Sequence, residues 1–140
     1  VAGLGKRKKS GLPESRAAAV VQALVRIEQE KKFEALPAPI PYDGTVPGLP
    51  TLWLCNRSEW DVEISLAGPL VQKTAFRGVK GATKLKAQEL PAWPGKYRIA
   101  VTARKGSESK LYYVEAVLEA GREYSLAVDK DLRLYRAEKT

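Results

Sequence analysis

The residues that usually carry chemistry are sparse in this chain. Its 140 residues include no histidine and a single cysteine, Cys55. That combination excludes Ser-His-Asp and Cys-His nucleophilic catalysis and zinc sites of the Cys/His type. Cys55 ends the apolar run Leu52-Trp-Leu-Cys55, where a small buried side chain is expected rather than a reactive thiol. Carboxylates are scattered singly. Glu119 and Glu123 flank one turn and Asp129 and Asp131 another, placements that shape turns more readily than they form an acid/base couple or a calcium site. Gly78-Val-Lys-Gly81-Ala-Thr83 lacks the spacing and the following helix of a phosphate-binding loop. No catalytic, metal-binding or cofactor-binding residue is assigned, and the chain is not expected to be an enzyme.

Charge gives a stronger signal. The net charge is +8, from 24 basic and 16 acidic residues. Residues 73–105 hold Lys73, Arg77, Lys80, Lys84, Lys86, Lys96, Arg98, Arg104 and Lys105 against one acid, Glu89, and Lys6-Arg-Lys-Lys9 forms a second cluster. Such a balance favours nucleic acid, acidic glycan or anionic lipid headgroups, although it also suits an ordinary solvated face. The candidate polyanion-binding residues are Lys73, Lys84, Lys86, Arg104 and Lys105. Lys84 and Lys86 share one face of an expected strand, and Lys73 joins them if its strand is adjacent. Trp60 and Trp93 stand in turns, where a tryptophan either staples the fold or anchors a partner.

The elements that must position these residues follow from periodicity. Residues 1–12 read as a basic arm. A helix is expected from about Pro13 to about Leu36, with Ala17, Val20, Val21, Leu24 and Ile27 on one face. That face packs either on its own domain or on a partner, which makes Val20, Leu24 and Ile27 candidate contact residues. Leu36 to Pro50 carries five further prolines after Leu36 and two glycines, and reads as an extended connector that cannot join a ladder. Beyond it the pattern is β, with strands expected near 51–56, 60–66, 71–77, 82–89, 96–104, 110–118, 122–128 and 131–136. Tyr112, Val114, Ala116 and Leu118 make one face of the sixth strand wholly apolar, and Leu111, Tyr113 and Val117 make the other nearly so. That strand is expected to be central. Seven or eight short strands indicate an antiparallel β-sandwich, with a small closed barrel as the other candidate. The division is then residues 1–49 as arm, helix and connector, and 50–140 as the sandwich. No apolar run is long enough to span a bilayer.

Two phrases share a device: Leu90 followed by Pro94-Gly95-x-Tyr97-x-Ile99, and Leu118-x-x-Gly121-x-x-Tyr124-x-Leu126. Each sets a glycine turn before a strand with alternating apolar residues. They resemble the PEGA and carboxypeptidase-regulatory-like β-sandwich modules of bacterial envelope proteins, and Leu52 to Ser58 followed by Val62 to Pro69 is similar to their first hairpin. The resemblance implies a transthyretin-like or immunoglobulin-like accessory domain without a shared site, secreted or lipid-anchored. The expected function is therefore a non-catalytic structural module making protein–protein contacts in a cell-envelope or extracellular assembly. Those contacts would run through the N-terminal helix and arm or an exposed sheet edge, to a protein partner or a second copy. Polyanion binding by the 73–105 face is the alternative.

Overall fold

The computed structural model of the chain describes residues 12–80 and 85–139. Among these there are one helix and ten strands: α1 (Glu14–Glu30), β1 (Glu34–Ala35), β2 (Ile40–Pro41), β3 (Thr51–Asn56), β4 (Asp61–Ala67), β5 (Val71–Phe76), β6 (Gln88–Pro91), β7 (Gly95–Lys105), β8 (Glu108–Leu118), β9 (Glu123–Val128) and β10 (Leu134–Tyr135). The first sheet runs β1-β8-β7-β4-β5. The second runs β10-β9-β3-β6, with β2 also on β9.

Alternation builds the core. Val62, Ile64 and Leu66 of β4 and Tyr97, Ile99, Val101 and Ala103 of β7 share one apolar cluster with Leu52 and Leu54 of β3 and Tyr124, Leu126 and Val128 of β9. The two sheets thus close on a common interior. The intervening residues face outward and are covered in turn. On the first sheet Ala67, Ala100 and Tyr113 receive Val20 and Leu24 of α1. Alanine at two of those three positions leaves room for the helix to approach the strands. On the second, Trp53, Cys55 and Ala127 lie under Tyr42 and Ala137. Ser125 holds that cover in place: its hydroxyl donates to the Tyr135 carbonyl (2.7 Å) and accepts from the Ala137 N–H (3.0 Å). The Tyr42 hydroxyl donates to the Ala137 carbonyl, and Lys139 pairs with Glu123.

The two glycine–tyrosine phrases share a physical logic. The Tyr97 ring is buried in the core, while its hydroxyl accepts from the Trp93 N–H (3.1 Å) and donates to the Trp93 carbonyl (2.7 Å). The Tyr124 hydroxyl accepts from the Glu119 N–H at 2.9 Å. In each case a core aromatic reaches back to fasten the turn that opens its own strand. Gly95 and Gly121 supply the positive φ those turns need, +145° and +81°.

Several expectations are corrected. The β-rich, two-sheet class stands, but the sheets are mixed: β3–β9 and β1–β8 are parallel. β3 and β9 lie side by side and are buried on both faces, the setting that parallel strands favour. The helix stops at Glu30 instead of about Leu36. Lys31 takes a left-handed conformation (φ 55°) with its N–H on the Ile27 carbonyl, and Phe33 then turns in to meet the Tyr113 ring at 4.9 Å. The connector does join both ladders. β1 lies beside Tyr112 and Tyr113 and β2 beside Tyr124 and Ser125, while Leu36 enters the main core. Residues 12–49 are therefore packed onto both sheets and are not a separate appendage. The fourth expected strand begins only at Gln88 within the described residues. The last, expected over 131–136, is reduced to Leu134–Tyr135 by a turn in which Leu132 has φ 61°. β8 is central only in part: β7 flanks it along its whole length, but β1 flanks it at Tyr112 and Tyr113 alone. Apolar residues on both its faces report cover above and below, from α1 and Phe33 on one side and the core on the other.

Candidate functional site

The structure scatters the residues singled out by the sequence. Val20 and Leu24, offered as partner contacts, are buried on the chain's own sheet, Leu24 to 1% exposure, and Ile27 is half-buried beside them. Seated this way, Val20 and Leu24 are not a docking face. Glu28 fastens the same helix, its carboxylate 3.0 Å from Arg98 Nε on β7, and this contact, with one from Glu115, holds the Glu28 carboxyl below its ordinary pKa. Trp60 packs against the core with Lys110 Nζ 5.5 Å above its ring. Trp93 remains 47% exposed while its backbone locks Tyr97.

The basic run is likewise divided. Lys73 lies on β5, an edge of the first sheet, and Lys86 in the connection before β6, an edge of the second, so their strands are not neighbours. Lys84 lies outside the described residues, as does the Lys6–Lys9 arm. Folding also brings acids from elsewhere in the chain against the run. Lys73 pairs with Glu63 (3.7 Å), Lys96 with Glu115 (3.4 Å), Arg98 with Glu28 and Lys105 with Glu59 (3.3 Å). Arg104 faces Asp61 across the β4–β7 ladder without an ion pair among the described residues. A sequence window dense in one charge becomes a mixed surface because the acidic partners come from β4, the turn before it, β8 and α1.

Asp129, considered above as a calcium ligand, serves its turn: Oδ1 accepts from the N–H groups of Asp131 (2.9 Å) and Arg133 (3.0 Å). Among the described residues no three acidic or cysteine side chains converge as a metal site would require. Cys55 is buried, and burial followed by the adjacent Cys55 thiol pushes the Tyr135 hydroxyl above its ordinary pKa.

The sheet edges are more informative. An edge strand presents unpaired N–H and C=O groups, which proteins usually blunt. On β5 the Leu12 N–H donates to the Val71 carbonyl (3.0 Å), which shows that Val71, Lys73 and Ala75 turn their backbone outward. The Gln72 side chain then accepts the Lys73 N–H at 3.1 Å, and Lys73 adds its charge. On β6 the Ala92 N–H donates inward to the Pro50 carbonyl (2.9 Å), so Glu89 and Pro91 face out, and Pro91 has no N–H to offer. The strands flanking β9 on its outer side, β2 and β10, are two residues each, and β2 contains Pro41.

β8 is different. The Leu36 N–H donates to the Tyr113 carbonyl (3.1 Å), so Ser109, Leu111, Tyr113, Glu115 and Val117 turn outward. β1 covers only Tyr112 and Tyr113, and Pro37 and Pro39 prevent its ladder from continuing. Glu108 and Lys110 stand guard around Ser109. Farther along, the Glu115 and Val117 backbones have no partner among the described residues, and the Glu115 carboxylate is drawn over β7 by Lys96. Val117 is 59% exposed, the highest of the exposed large apolar side chains. Leu49 and Trp93, two of the other three, lie at the same end of the sheets. Ala92 pairs with Pro50, which sets residue 93 beside 49, and Gly95 pairs with Leu118. Sequence reading missed this edge because it placed Val117 on a central strand. The available signal was the Pro-x-Pro spacing at 37–39, which limits the length of any strand before it.

Compared with protein-family models, with curated proteins and with solved structures, the chain finds no match in any of the three, so its own geometry must carry the functional argument.

Proposed function

We propose that this chain is a non-catalytic β-sandwich accessory module that works by protein–protein contact, accepting an extended segment of a partner along Glu115–Val117 of β8. The single observation behind this reading is the contrast among edges: β5 is capped at Val71 and Lys73, β6 ends at Pro91 and the outer flank of β9 carries two-residue strands, while among the described residues Glu115–Val117 has no such cap and carries the most exposed of the large apolar side chains. Exposed Val117 favours an apolar partner surface, and Leu49 and Trp93 are exposed at the same end of the sheets. The open backbone beside it favours polypeptide over lipid, because hydrocarbon cannot satisfy N–H and C=O groups. Two facing sheets and the PEGA-like turn phrases support the transthyretin-like or immunoglobulin-like accessory reading and, with it, an envelope or extracellular setting. The four ion pairs within the 73–105 run weigh against that face as a polyanion site.

Site-specific photo-crosslinking in the source cells tests this. A crosslinking side chain at position 117 should give a discrete adduct with another protein. The same group at position 73, on the blunted edge of β5, should give none. Val117→Lys should abolish the adduct from a crosslinker at position 115 and alter stability by less than about 0.5 kcal/mol. No adduct at 117, or the same adduct from both edges, refutes the reading.

A further inference from the structure

α1 packs over Ala67, Ala100 and Tyr113 on the outer face of the first sheet. Beside it runs a groove of about 410 Å³, walled by Ala19, Ala23, Leu24 and Ile27 and floored by Ser65 and Ala100. A second depression of about 430 Å³ shares Glu63 and Thr102 with the first and extends to Arg77 and Arg104. The shared residues make the two a single trough. It follows β4 from Ser65 to Asp61, about 13 Å at ~3.3 Å per residue. Each half has the volume of an ordinary small-ligand site, which runs from ~300 to ~1,000 Å³.

The two ends differ in chemistry. The helix end is the more apolar, walled by Leu12, Ala19, Val20, Ala23, Leu24 and Ile27, although Arg16 also lines it. At the far end Arg77 and Arg104 stand with Asp61 and Glu63, and both acids are already engaged. Lys73 and Glu63 pair with each other at 3.7 Å, and Asp61 Oδ1 accepts the Gly78 N–H at 2.8 Å. Arg77 and Arg104 are exposed, and among the described residues neither side chain makes an ion pair or a hydrogen bond. Guanidinium groups bind carboxylates through paired N–H donors, and two such groups at the mouth of an apolar groove complement an anion with a hydrocarbon tail.

We propose that this trough binds a medium- or long-chain carboxylate, the acyl chain lying against Ala19, Ala23 and Ile27 and the carboxylate held by Arg77 and Arg104. The site lies across β7 from the open edge of β8, and it stands or falls separately from the partner docking argued above.

Decanoate, whose extended chain approximates the trough's length, is a suitable probe, with 1-decanol as the uncharged control. In titrations of the full chain below the micellar range, followed by amide NMR, decanoate should bind saturably and shift Ala23, Thr102 and Arg104. Decanol should bind at least tenfold more weakly. Arg77→Ala with Arg104→Glu should weaken decanoate at least tenfold, and Ala23→Trp, which fills the wall from an exposed helix position, should do the same. Circular dichroism should show both variants folded. If Ala23→Trp lowers the melting temperature, Ala19→Trp blocks the same wall. No saturable binding, equal affinity for decanol, or undiminished decanoate binding in either folded variant overturns the proposal. So does binding of a hexaglutamate peptide in place of decanoate, which would assign the two arginines to an acidic polypeptide.

Discussion

Replacing Leu24 by Ala tests whether α1 belongs to this fold or to a partner. Leu24 is 1% exposed and sits among Ala67, Ala100 and Tyr113 on the first sheet. The substitution removes the equivalent of three methylene groups, worth about 2.4 kcal/mol at ~0.8 kcal/mol each. A sealed site would add a cavity penalty and bring the loss toward ~5 kcal/mol. Leu24 also lines the groove beside α1, so solvent can take up part of the vacated space. The expected cost is therefore near the low end, about 2.5 kcal/mol. For a chain of this size that corresponds to a fall in melting temperature of roughly 8–10 °C. Urea unfolding followed by both circular dichroism and tyrosine fluorescence measures it, with Ala23→Ser, one position along and exposed, as a control that should stay within about 0.5 kcal/mol of the parent. The loss should not depend on protein concentration, because the contact is within one chain. A cost below about 0.5 kcal/mol, or a loss that appears only at high concentration, would refute the intramolecular seat. Val20, Leu24 and Ile27 would then return as candidates for contact with another subunit.

Two further outcomes follow from the polar contacts. Ser125→Ala leaves the Ala137 N–H without its acceptor and should cost about 1–3 kcal/mol in urea unfolding, while loosening of the C-terminal segment should speed thiol labelling of Cys55; unchanged labelling would show that residues 135–137 do not guard that face. Glu28, held down first by Arg98, and Glu123, held down first by Lys139, both titrate below the ordinary 4.5 in the folded state, so the unfolded chain binds more protons as acid is added. Their stabilisation is complete above that value and is lost as pH falls through the folded pKa values. Unfolding should therefore become easier below about pH 4.5, and Glu28→Gln with Glu123→Gln should flatten that dependence.

What the sequence made legible was local. Val62, Ile64 and Leu66 alternate strictly with polar residues, and β4 lies within a residue of its expected limits. Gly95 and Gly121 marked their turns, and Tyr97 and Tyr124 their strands, because glycine conformation and core burial act over a few residues. Contacts between distant segments were not legible. Nothing in Leu52-Trp-Leu-Cys55 says that its neighbour is the parallel β9 and not a hairpin partner; that depends on which strands reach the middle of the second sheet. The prolines of the connector were read as forbidding any ladder, but two-residue ladders fit between and beside Pro37, Pro39 and Pro41, so β1 and β2 escaped notice.

The candidate site was hidden for the same reason, and the cause bears on how the fold protects itself. Lys73, Gln72 and Pro91 look unremarkable along the chain. They become edge guards only once β5 and β6 are known to end their sheets. Val117 reads as a core residue until β1 is seen to stop at Ala35. The same prolines that let the connector cross from the first sheet to the second cut short the strand that would otherwise cover β8. An unguarded edge costs a protein solubility and invites association with stray strands. Here it persists beside exposed Leu49, Trp93 and Val117, although a single lysine at 117 would close it without disturbing the core. An open edge beside an exposed apolar side chain is what the proposed docking of another chain requires.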